Sequence, residues 1–170
     1  MEDKIPHRKA IIPLKTTGKI TIIFLIIFHN CGILKTKYKG VIRMAGYHTD
    51  IEEETKNNNN FRKVLYTGKY QQLVVMSLKP GEDIGEEVHD SVDQFFRIEE
   101  GCAKVIIDGI ETLLEEDDVV IVPAGSKHNL VNTSNDKTLK LYTIYAPPNH
   151  PDKTVHETKE EAEEYEKSQH

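Results

Sequence analysis

The sequence has no tryptophan, only two cysteines and no long hydrophobic segment. The two cysteines, Cys31 and Cys102, provide no disulfide framework, and Cys102 falls inside a predicted strand as a small buried residue. This cysteine usage fits a reducing compartment, so a cytoplasmic location is expected. The main apolar stretch, Ile20 to Phe28, is nine residues long. It is too short to cross a membrane, and we expect no membrane association.

Positive charge is scarce in most of the chain. Residues 1–43 carry nine Lys and Arg against two Asp and Glu, whereas residues 44–170 carry 13 against 26. Binding to a nucleic-acid backbone requires a basic surface that neutralises phosphates. The acidic main body therefore argues against a nucleic-acid partner.

Residues 1–43 differ in composition from the rest, and the change falls at Met44. Basic residues precede the apolar stretch, as in a signal peptide, but His29-Asn30-Cys31 is a poor cleavage site. We interpret this segment as an atypical basic and apolar extension upstream of a start at Met44. A targeting segment and a structured arm are the alternatives. Removing residues 1–43 is expected to leave the stability of the remainder unchanged.

Two polar regions flank the central part of the chain. Residues 44–60 form a polar lead-in that ends in four asparagines, which favour a loop over a single helical turn. Residues 149–170 continue a Pro-rich stretch and then form a surface helix. Thr158 and Glu161 make a capping box at the start of this helix, which is predicted to end near Lys167.

Eight short runs of β-branched and aromatic residues, separated by turn residues, fill residues 61–148. Asp108-Gly109 between two such runs predicts a two-residue hairpin turn. Eight short strands with tight turns predict an all-β, antiparallel sandwich or barrel. The predicted strands are Phe61–Leu65, Gln71–Leu78, Gln94–Glu99, Ala103–Ile107, Ile110–Leu114, Asp118–Val122, His128–Asn132 and Leu139–Tyr145.

Two groups of glycine and polar residues recur with regular spacing inside this region. The first group consists of Gly81, Glu87, His89, Gln94 and Gly101, and the second of Asp117, Pro123, Gly125, His128 and Asn132. If the groups pair across one barrel, Glu87, His89, Gln94 and His128 meet inside it. Two imidazoles and a carboxylate are typical of non-haem iron sites, and the Gln amide oxygen adds a fourth donor. This set favours Fe(II) or Mn(II), with zinc as a possibility.

These two groups resemble the paired motifs of the cupin superfamily, G-x5-H-x-H-x3-4-E-x6-G and G-x5-P-x-G-x2-H-x3-N. The resemblance covers residues 44–160 and implies an antiparallel cupin (jelly-roll) β-barrel with a short C-terminal helix. Within the superfamily, the chain looks like small single-domain proteins described as mannose-6-phosphate isomerase-like. The resemblance also implies a homodimer.

Three positions depart from the cupin motifs. Glu87 stands where the family has its first metal-binding His, and Gln94 stands where it has Glu. The two changes together keep the charge of the ligand set at -1, so a metal site is expected. A barrel that has lost its metal is the alternative. Asp117 replaces the opening Gly of the second motif, and Asp tolerates the left-handed geometry of a turn.

Several further side chains are candidates for contact with a substrate. Tyr142 and Tyr145 lie on the last predicted strand in opposite orientations, so one of them lines the cavity. Phe96 is expected to form apolar wall, and Arg97 beside it faces outward. His150 and His156 flank the Pro-rich stretch and either fold over the barrel or remain exposed; exposure is the expectation.

The sequence therefore predicts a metal-binding cupin that acts on a small molecule. The resemblance favours an isomerase of the mannose-6-phosphate isomerase-like kind. An Fe(II)-dependent dioxygenase and a metal-free small-molecule binding or sensing module are the alternatives, because one fold hosts many chemistries.

Overall fold

The structure is a computed structural model that describes residues 46–168. The predicted N-terminal extension, residues 1–43, lies outside the described residues. The elements are α1 (Ile51–Asn57), β1 (Arg62–Thr67), β2 (Gln72–Leu78), β3 (Glu87–Val88), β4 (Asp93–Glu100), β5 (Ala103–Ile107), β6 (Ile110–Leu114), β7 (Val119–Val122), β8 (Lys127–Asn132), β9 (Leu139–Ala146), β10 (Val155–His156) and α2 (Lys159–Ser168).

The strands form two antiparallel sheets. The larger has the order β10-β1-β2-β9-β4-β7, and the smaller has the order β3-β8-β5-β6. This arrangement confirms the all-β jelly-roll prediction, and all eight predicted strands are present. The sequence analysis missed β3 and β10, because two-residue strands are too short to show the alternation that identifies a strand.

Alternation along each strand builds the core between the sheets. On β4, Gln94, Phe96 and Ile98 are 0–1% exposed, and they point inward together with Leu130 of β8 and Val105 of β5. Successive side chains of a strand point to opposite faces, so every second residue is buried here. The core therefore surrounds Gln94, which is one of the candidate ligands.

The two predicted special turns are present. Asp108 and Gly109 have φ values of 49° and 84° and connect β5 to β6, as a hairpin turn with two left-handed residues requires. Asp117 has φ of 74°, so the residue that replaces the motif glycine does adopt the left-handed conformation. Its carboxylate pairs with Arg97, which faces outward as predicted.

The lead-in is more ordered than predicted. Residues 51–57 form α1, whose first turn is capped by Asp50 accepting a hydrogen bond from the Glu53 amide. The helix ends where the asparagine run begins, and the carbonyl of Asn58 accepts a hydrogen bond from the buried Lys140 ammonium. The asparagines after the helix thus form a fixed loop, whereas residues 51–57, where a single helical turn was the alternative to a loop, are helical.

The Pro-rich stretch returns to the barrel and is held there by Gln72. The Gln72 side chain is fully buried; its amide nitrogen donates to the His150 carbonyl at 2.7 Å, and its oxygen accepts from the His150 amide at 2.9 Å. The Thr158 hydroxyl accepts from the Glu161 amide at 3.3 Å, so the predicted helix cap is present. His156 is 7% exposed, which corrects the expectation of an exposed loop histidine.

Two further observations concern the surface. Cys102 is exposed, which corrects its assignment as a buried residue, because it lies in the turn before β5 rather than in the strand. Within residues 46–168, neither helix has the length and apolar character that a membrane crossing requires.

Candidate metal centre

Glu87, His89 and His128 form a compact group inside the barrel. Glu87 lies directly opposite His128 in the register of β3 and β8, and His89 follows β3 by one residue. Glu87 Oε2 lies 3.2 Å from His89 Nε2 and 3.8 Å from His128 Nε2. One possible ligand atom from each residue lies within 4.8 Å of the other two. The short β3 strand therefore places the predicted carboxylate and both predicted imidazoles together.

Gln94 joins this group from the other sheet. Its oxygen Oε1 lies 2.9 Å from His128 Nε2, and its amide nitrogen donates to the Thr143 hydroxyl at 3.3 Å. In this orientation the amide oxygen faces the imidazole and the amide nitrogen faces the Thr143 hydroxyl. All four residues predicted as metal ligands are therefore adjacent to one another.

The tautomer of His128 follows from its other ring nitrogen. Nδ1 lies 3.1 Å from the Ser126 carbonyl, and because a carbonyl can only accept, Nδ1 carries the proton. In the neutral ring, Nε2 then presents a lone pair toward the lone pairs of Gln94 Oε1 and Glu87 Oε2. A metal ion between these acceptors would be coordinated by all of them, whereas without an ion the Gln94 amide can turn to present its NH2 group to Nε2. This arrangement fits a metal ion.

The Glu87 carboxylate is shared between two neighbours. Its Oε1 lies 3.4 Å from Nη2 of Arg62, while Oε2 faces the imidazoles. Arg62 is 1% exposed and also pairs with Glu166 of α2 at 2.8 Å. A hydrogen-bonded outer partner of this kind orients a ligating carboxylate. Glu87 thus keeps one oxygen for a metal ion and the other for Arg62.

Aromatic rings line two sides of the group. The Tyr145 ring lies 5.8 Å from the His89 ring, and Phe96 lies 6.2 Å from the His128 ring, both edge to face. Burial and the nearby Glu87 charge raise the pKa of Tyr145 above its ordinary value, so its phenol is neutral. Tyr145 and Phe96, both predicted near the cavity, are thus part of its wall.

His150 and His156 lie farther out on the same side as Arg62. His150 packs edge-on against Tyr145 at 4.9 Å, and His156 stands opposite Arg62 in the register of β1 and β10. Burial, followed by the charge of Arg62, lowers the pKa of His150 to about 3 and also lowers the pKa of His156. Both rings are therefore neutral near pH 7.

Tyr142 does not lie beside Glu87, His89 and His128. It lies on the opposite face of β9 from Tyr145, and its ring packs against Phe95 at 5.9 Å. This placement follows from strand alternation, which sends neighbouring odd and even residues to different faces. Of the two predicted tyrosines, only Tyr145 reaches the candidate metal centre.

Sequence reasoning missed two residues of the site, Arg62 and Thr143. Both lie on inward positions of their strands, Arg62 in step with Val64 and Thr143 in step with Tyr145. A charged residue on the apolar face of a predicted strand was the available signal for Arg62. A fully buried arginine needs partners, and this requirement would have pointed toward the carboxylates.

The donor set suits a small group of metals. Two imidazole nitrogens, one carboxylate oxygen and a neutral amide oxygen match Fe(II) or Mn(II), and zinc accepts the same His and carboxylate ligands. Glu87, His89 and His128 would hold the ion, with Gln94 as the fourth donor. The fixed tautomer of His128 leaves Nε2 free to coordinate.

One concave region lies apart from Glu87, His89 and His128. It is lined by Asn59, Phe61, Ser77, Lys79, Glu82, Thr138, Glu157 and Thr158. Ser77 near the end of β2 and Thr138 directly before β9 are distant in register from Gln72 and Tyr145. This cleft shares no residue with the candidate metal centre.

Comparison with known proteins identifies a matching family model and several relatives. The sequence model of the cupin domain matches residues 74–145. The uncharacterized protein YrkC of Bacillus subtilis is 51% identical over 119 residues, which cover 66% of this chain and 63% of that protein. The uncharacterized protein L612 of Acanthamoeba polyphaga mimivirus is 45% identical over 109 residues, which cover 62% of this chain and 68% of that protein.

A solved structure agrees with these sequence relationships. The crystal structure of BH2720 from Bacillus halodurans superposes with a TM-score of 0.68 at 45% identity, covering 69% of this chain and 93% of that one. The fold, both motif groups and these relatives agree, and the chain belongs to the cupin family.

Proposed function

We propose that this cupin is a metal-dependent enzyme that acts on a small molecule, with Fe(II) or Mn(II) held by Glu87, His89 and His128. The observation that carries the proposal is the convergence of Glu87, His89 and His128, whose ligand atoms lie within 4.8 Å of one another. The Nδ1 proton of His128 is committed to Ser126, and Nε2 meets Gln94 Oε1 at 2.9 Å. A cation at this point satisfies every lone pair that converges there.

The type of donor set bears on the reaction. Two histidines and one carboxylate leave open coordination positions, and this combination is typical of non-haem Fe(II) oxygenases. A bound ion would supply Lewis acidity and those open positions. The residues around it exclude water on two sides, since Tyr145 and Phe96 are 0–1% exposed. These features support a dioxygenase as the leading reaction.

An isomerase of the mannose-6-phosphate isomerase-like kind is the second candidate, and the surroundings favour it less. Moving a proton between carbon atoms requires a base whose pKa lies near the working pH. Burial lowers the pKa of His150 to about 3, which makes its ring a weak base, and burial keeps Tyr145 protonated.

A metal-free binding or sensing module is the candidate from another class. Its support is the Arg62–Glu87 pair, which neutralises the Glu87 carboxylate without an ion. In that case the Gln94 amide would present its NH2 group to Nε2 of His128. Metal analysis separates this candidate from the two enzymes.

The test is to reconstitute the purified full-length chain with Fe(II) or Mn(II), remove excess ion and measure bound metal by mass spectrometry. We expect close to one ion per chain, and loss of that ion in His89→Ala and His128→Ala. His48→Ala removes an exposed histidine and serves as the matched control. Binding of nitric oxide to the Fe(II) form, followed by electron paramagnetic resonance, reports open coordination positions.

Two results would contradict the proposal. One is a chain that retains no metal after reconstitution. The other is metal that remains bound in both histidine variants. If the Fe(II)-loaded protein does not bind nitric oxide, the dioxygenase loses its support and the isomerase becomes the leading reaction.

A further inference from the structure

Arg62 is a buried cation with a hydrogen-bond donor that no described residue satisfies. It is 1% exposed and contacts Glu166 through Nη1 at 2.8 Å and Glu87 through Nη2 at 3.4 Å. Its Nε–H is buried and has no hydrogen-bond partner among the described residues. An arginine donates five hydrogen bonds and accepts none, so an oxygen acceptor is missing beside it.

Two more polar atoms without partners lie in the same neighbourhood. Among residues 46–168, His150 Nε2 and His156 Nδ1 are both buried without a hydrogen-bond partner. His156 is 7% exposed and stands opposite Arg62 across the β1–β10 pair. Buried polar atoms are nearly always paired, so the guanidinium Nε and the two imidazole nitrogens near it point to a polar ligand.

The charges of this region select the kind of ligand. Burial and the Arg62 charge lower the pKa values of both histidines, so their rings are neutral donors or acceptors near pH 7. Arg62 is then the cation of the group, and its planar guanidinium matches a carboxylate in shape. A small anion with carboxylate geometry therefore fits.

Glu166 already provides a carboxylate from outside the barrel. It lies on α2 with its side chain 49% exposed, although the guanidinium that it contacts is 1% exposed. α2 is also tied to the barrel by Lys159, whose ammonium lies 2.5 Å from Asp83. Glu166 thus reaches Arg62 from the solvent side, which is the side from which a ligand would enter.

The small molecule would lie where this region borders the candidate metal centre. Arg62 Nη2 lies 3.4 Å from Glu87 Oε1, and the Tyr145 ring packs against both His150 and His89. We infer that Arg62, with His150 and His156 beside it, is the subsite for a carboxylate of the substrate, and that Glu166 fills this subsite until the substrate displaces it. The inference rests on the proposed function, because it names the substrate class of the same site.

The test uses propionate as a minimal carboxylate and propionamide as its neutral isostere. Binding to the full-length, chelator-treated chain is measured by nuclear magnetic resonance titration at constant ionic strength. Glu166→Gln removes the competing carboxylate and is expected to bind propionate about tenfold more tightly than the unaltered chain. Glu164→Gln makes the same change at an exposed position of α2 and is expected to leave the affinity unchanged.

A second variant tests the guanidinium itself. In the Glu166→Gln background, Arg62→Lys keeps the charge but loses the planar fork, and propionate affinity should fall about tenfold. Equal affinities in Glu166→Gln and Glu164→Gln, or equal binding of propionate and propionamide, would overturn the subsite. These titrations contain no metal. Failure of metal reconstitution would therefore overturn the proposed function, while the propionate affinities would still decide the subsite.

Discussion

Arg62 of β1 and Glu87 of β3 meet across the barrel interior, with Nη2 3.4 Å from Oε1, although their strands belong to different sheets. Truncating Arg62 leaves Glu87 as a buried charge without its main partner. Arg62→Met is therefore expected to lower the free energy of unfolding of the metal-free protein by about 3–5 kcal/mol. Urea unfolding measures the change.

The matched control is Arg97→Met. Arg97 pairs with the exposed Asp117 and the buried Glu99, but its own side chain is 33% exposed, so we expect a smaller loss than in Arg62→Met. The double variant Arg62→Met with Glu87→Gln should recover part of the loss, because it removes the stranded charge. Equal losses in Arg62→Met and Arg97→Met would show that burial does not decide the effect.

Gln94→Glu restores the residue type that the cupin motif has at this position. It places a second carboxylate near Glu87, so like-charge repulsion should lower the Tm of the metal-free protein. Added ligand charge strengthens cation binding, and we expect Mn(II) affinity to rise by about tenfold or more. Tm with and without Mn(II), together with a competition titration, measures both effects.

The control for this change is Gln71→Glu, which adds the same charge at an exposed position. It should alter neither the Tm nor the affinity appreciably. If Gln94→Glu binds Mn(II) no better than the unaltered chain, residue 94 is not a ligand of the ion.

The acid sensitivity of the protein should depend on His150. Burial lowers its pKa to about 3 in the folded chain against 6.5 in the unfolded chain. Its contribution to stability is therefore complete above pH 6.5 and is lost as the pH falls from 6.5 toward 3. The loss is up to about 1.4 kcal/mol per pH unit.

His150→Gln should flatten the fall of the unfolding free energy between pH 6.5 and pH 4, measured by urea titrations at fixed pH. His48→Gln removes an exposed histidine and should leave the slope unchanged. A slope that is the same in all three proteins would mean that His150 can be protonated without strain.

Asn132, the last residue of the second motif, acts as a structural clamp. Its amide nitrogen donates to three backbone carbonyls at 2.8–3.1 Å, those of Leu78, Lys79 and Lys137. Asn132→Asp replaces this donor with an oxygen, and we expect a loss of about 2–4 kcal/mol in the free energy of unfolding. Asn135→Asp, in the exposed part of the same loop, should be nearly neutral in a chemical denaturation experiment.

The outer face of the large sheet supports the expected homodimer. An apolar row crosses it in register, and β7 at its end is an edge strand with exposed Val119 and Ile121. The row consists of Ile121, Phe95, Ile144, Leu73 and Tyr66. An exposed apolar edge strand is prone to pair with another chain.

We therefore expect a dimer in sedimentation experiments, and Ile121→Lys should shift it toward monomer. Leu113→Lys is the control, because Leu113 is 76% exposed on the edge strand β6 of the other sheet. Dissociation by Leu113→Lys alone would move the interface to the small sheet. A monomer in the unaltered protein would remove the expectation altogether.

The barrel could be predicted because its signals are local. Asp108-Gly109 fixes a hairpin by backbone geometry, and alternation along β4 identifies Gln94, Phe96 and Ile98 as one face. The spacing of Glu87, His89 and His128 then placed three candidate ligands correctly beside one another. Each of these features depends on residues that are close in the chain or on paired strands.

The second layer of the site could not be predicted in the same way. Glu166 contacts Arg62 across 104 residues, and this pair forms only because α2 returns to the barrel. His150 is half-buried against the barrel for a similar reason, since Gln72 binds its backbone across 78 residues. Such contacts depend on the path of an irregular segment, for which the sequence carries no periodic signal.

The candidate ligands come from both sheets: Glu87, His89 and His128 from the small sheet and its flanking turn, and Gln94 from the large one. No short segment of the unfolded chain holds all four together. In contrast to a zinc finger, where metal ligation drives folding, this barrel must pack its two sheets before the complete ligand set exists. Metal would therefore bind after folding, and the fraction of chains that bind it would equal the fraction in which the two sheets are packed together.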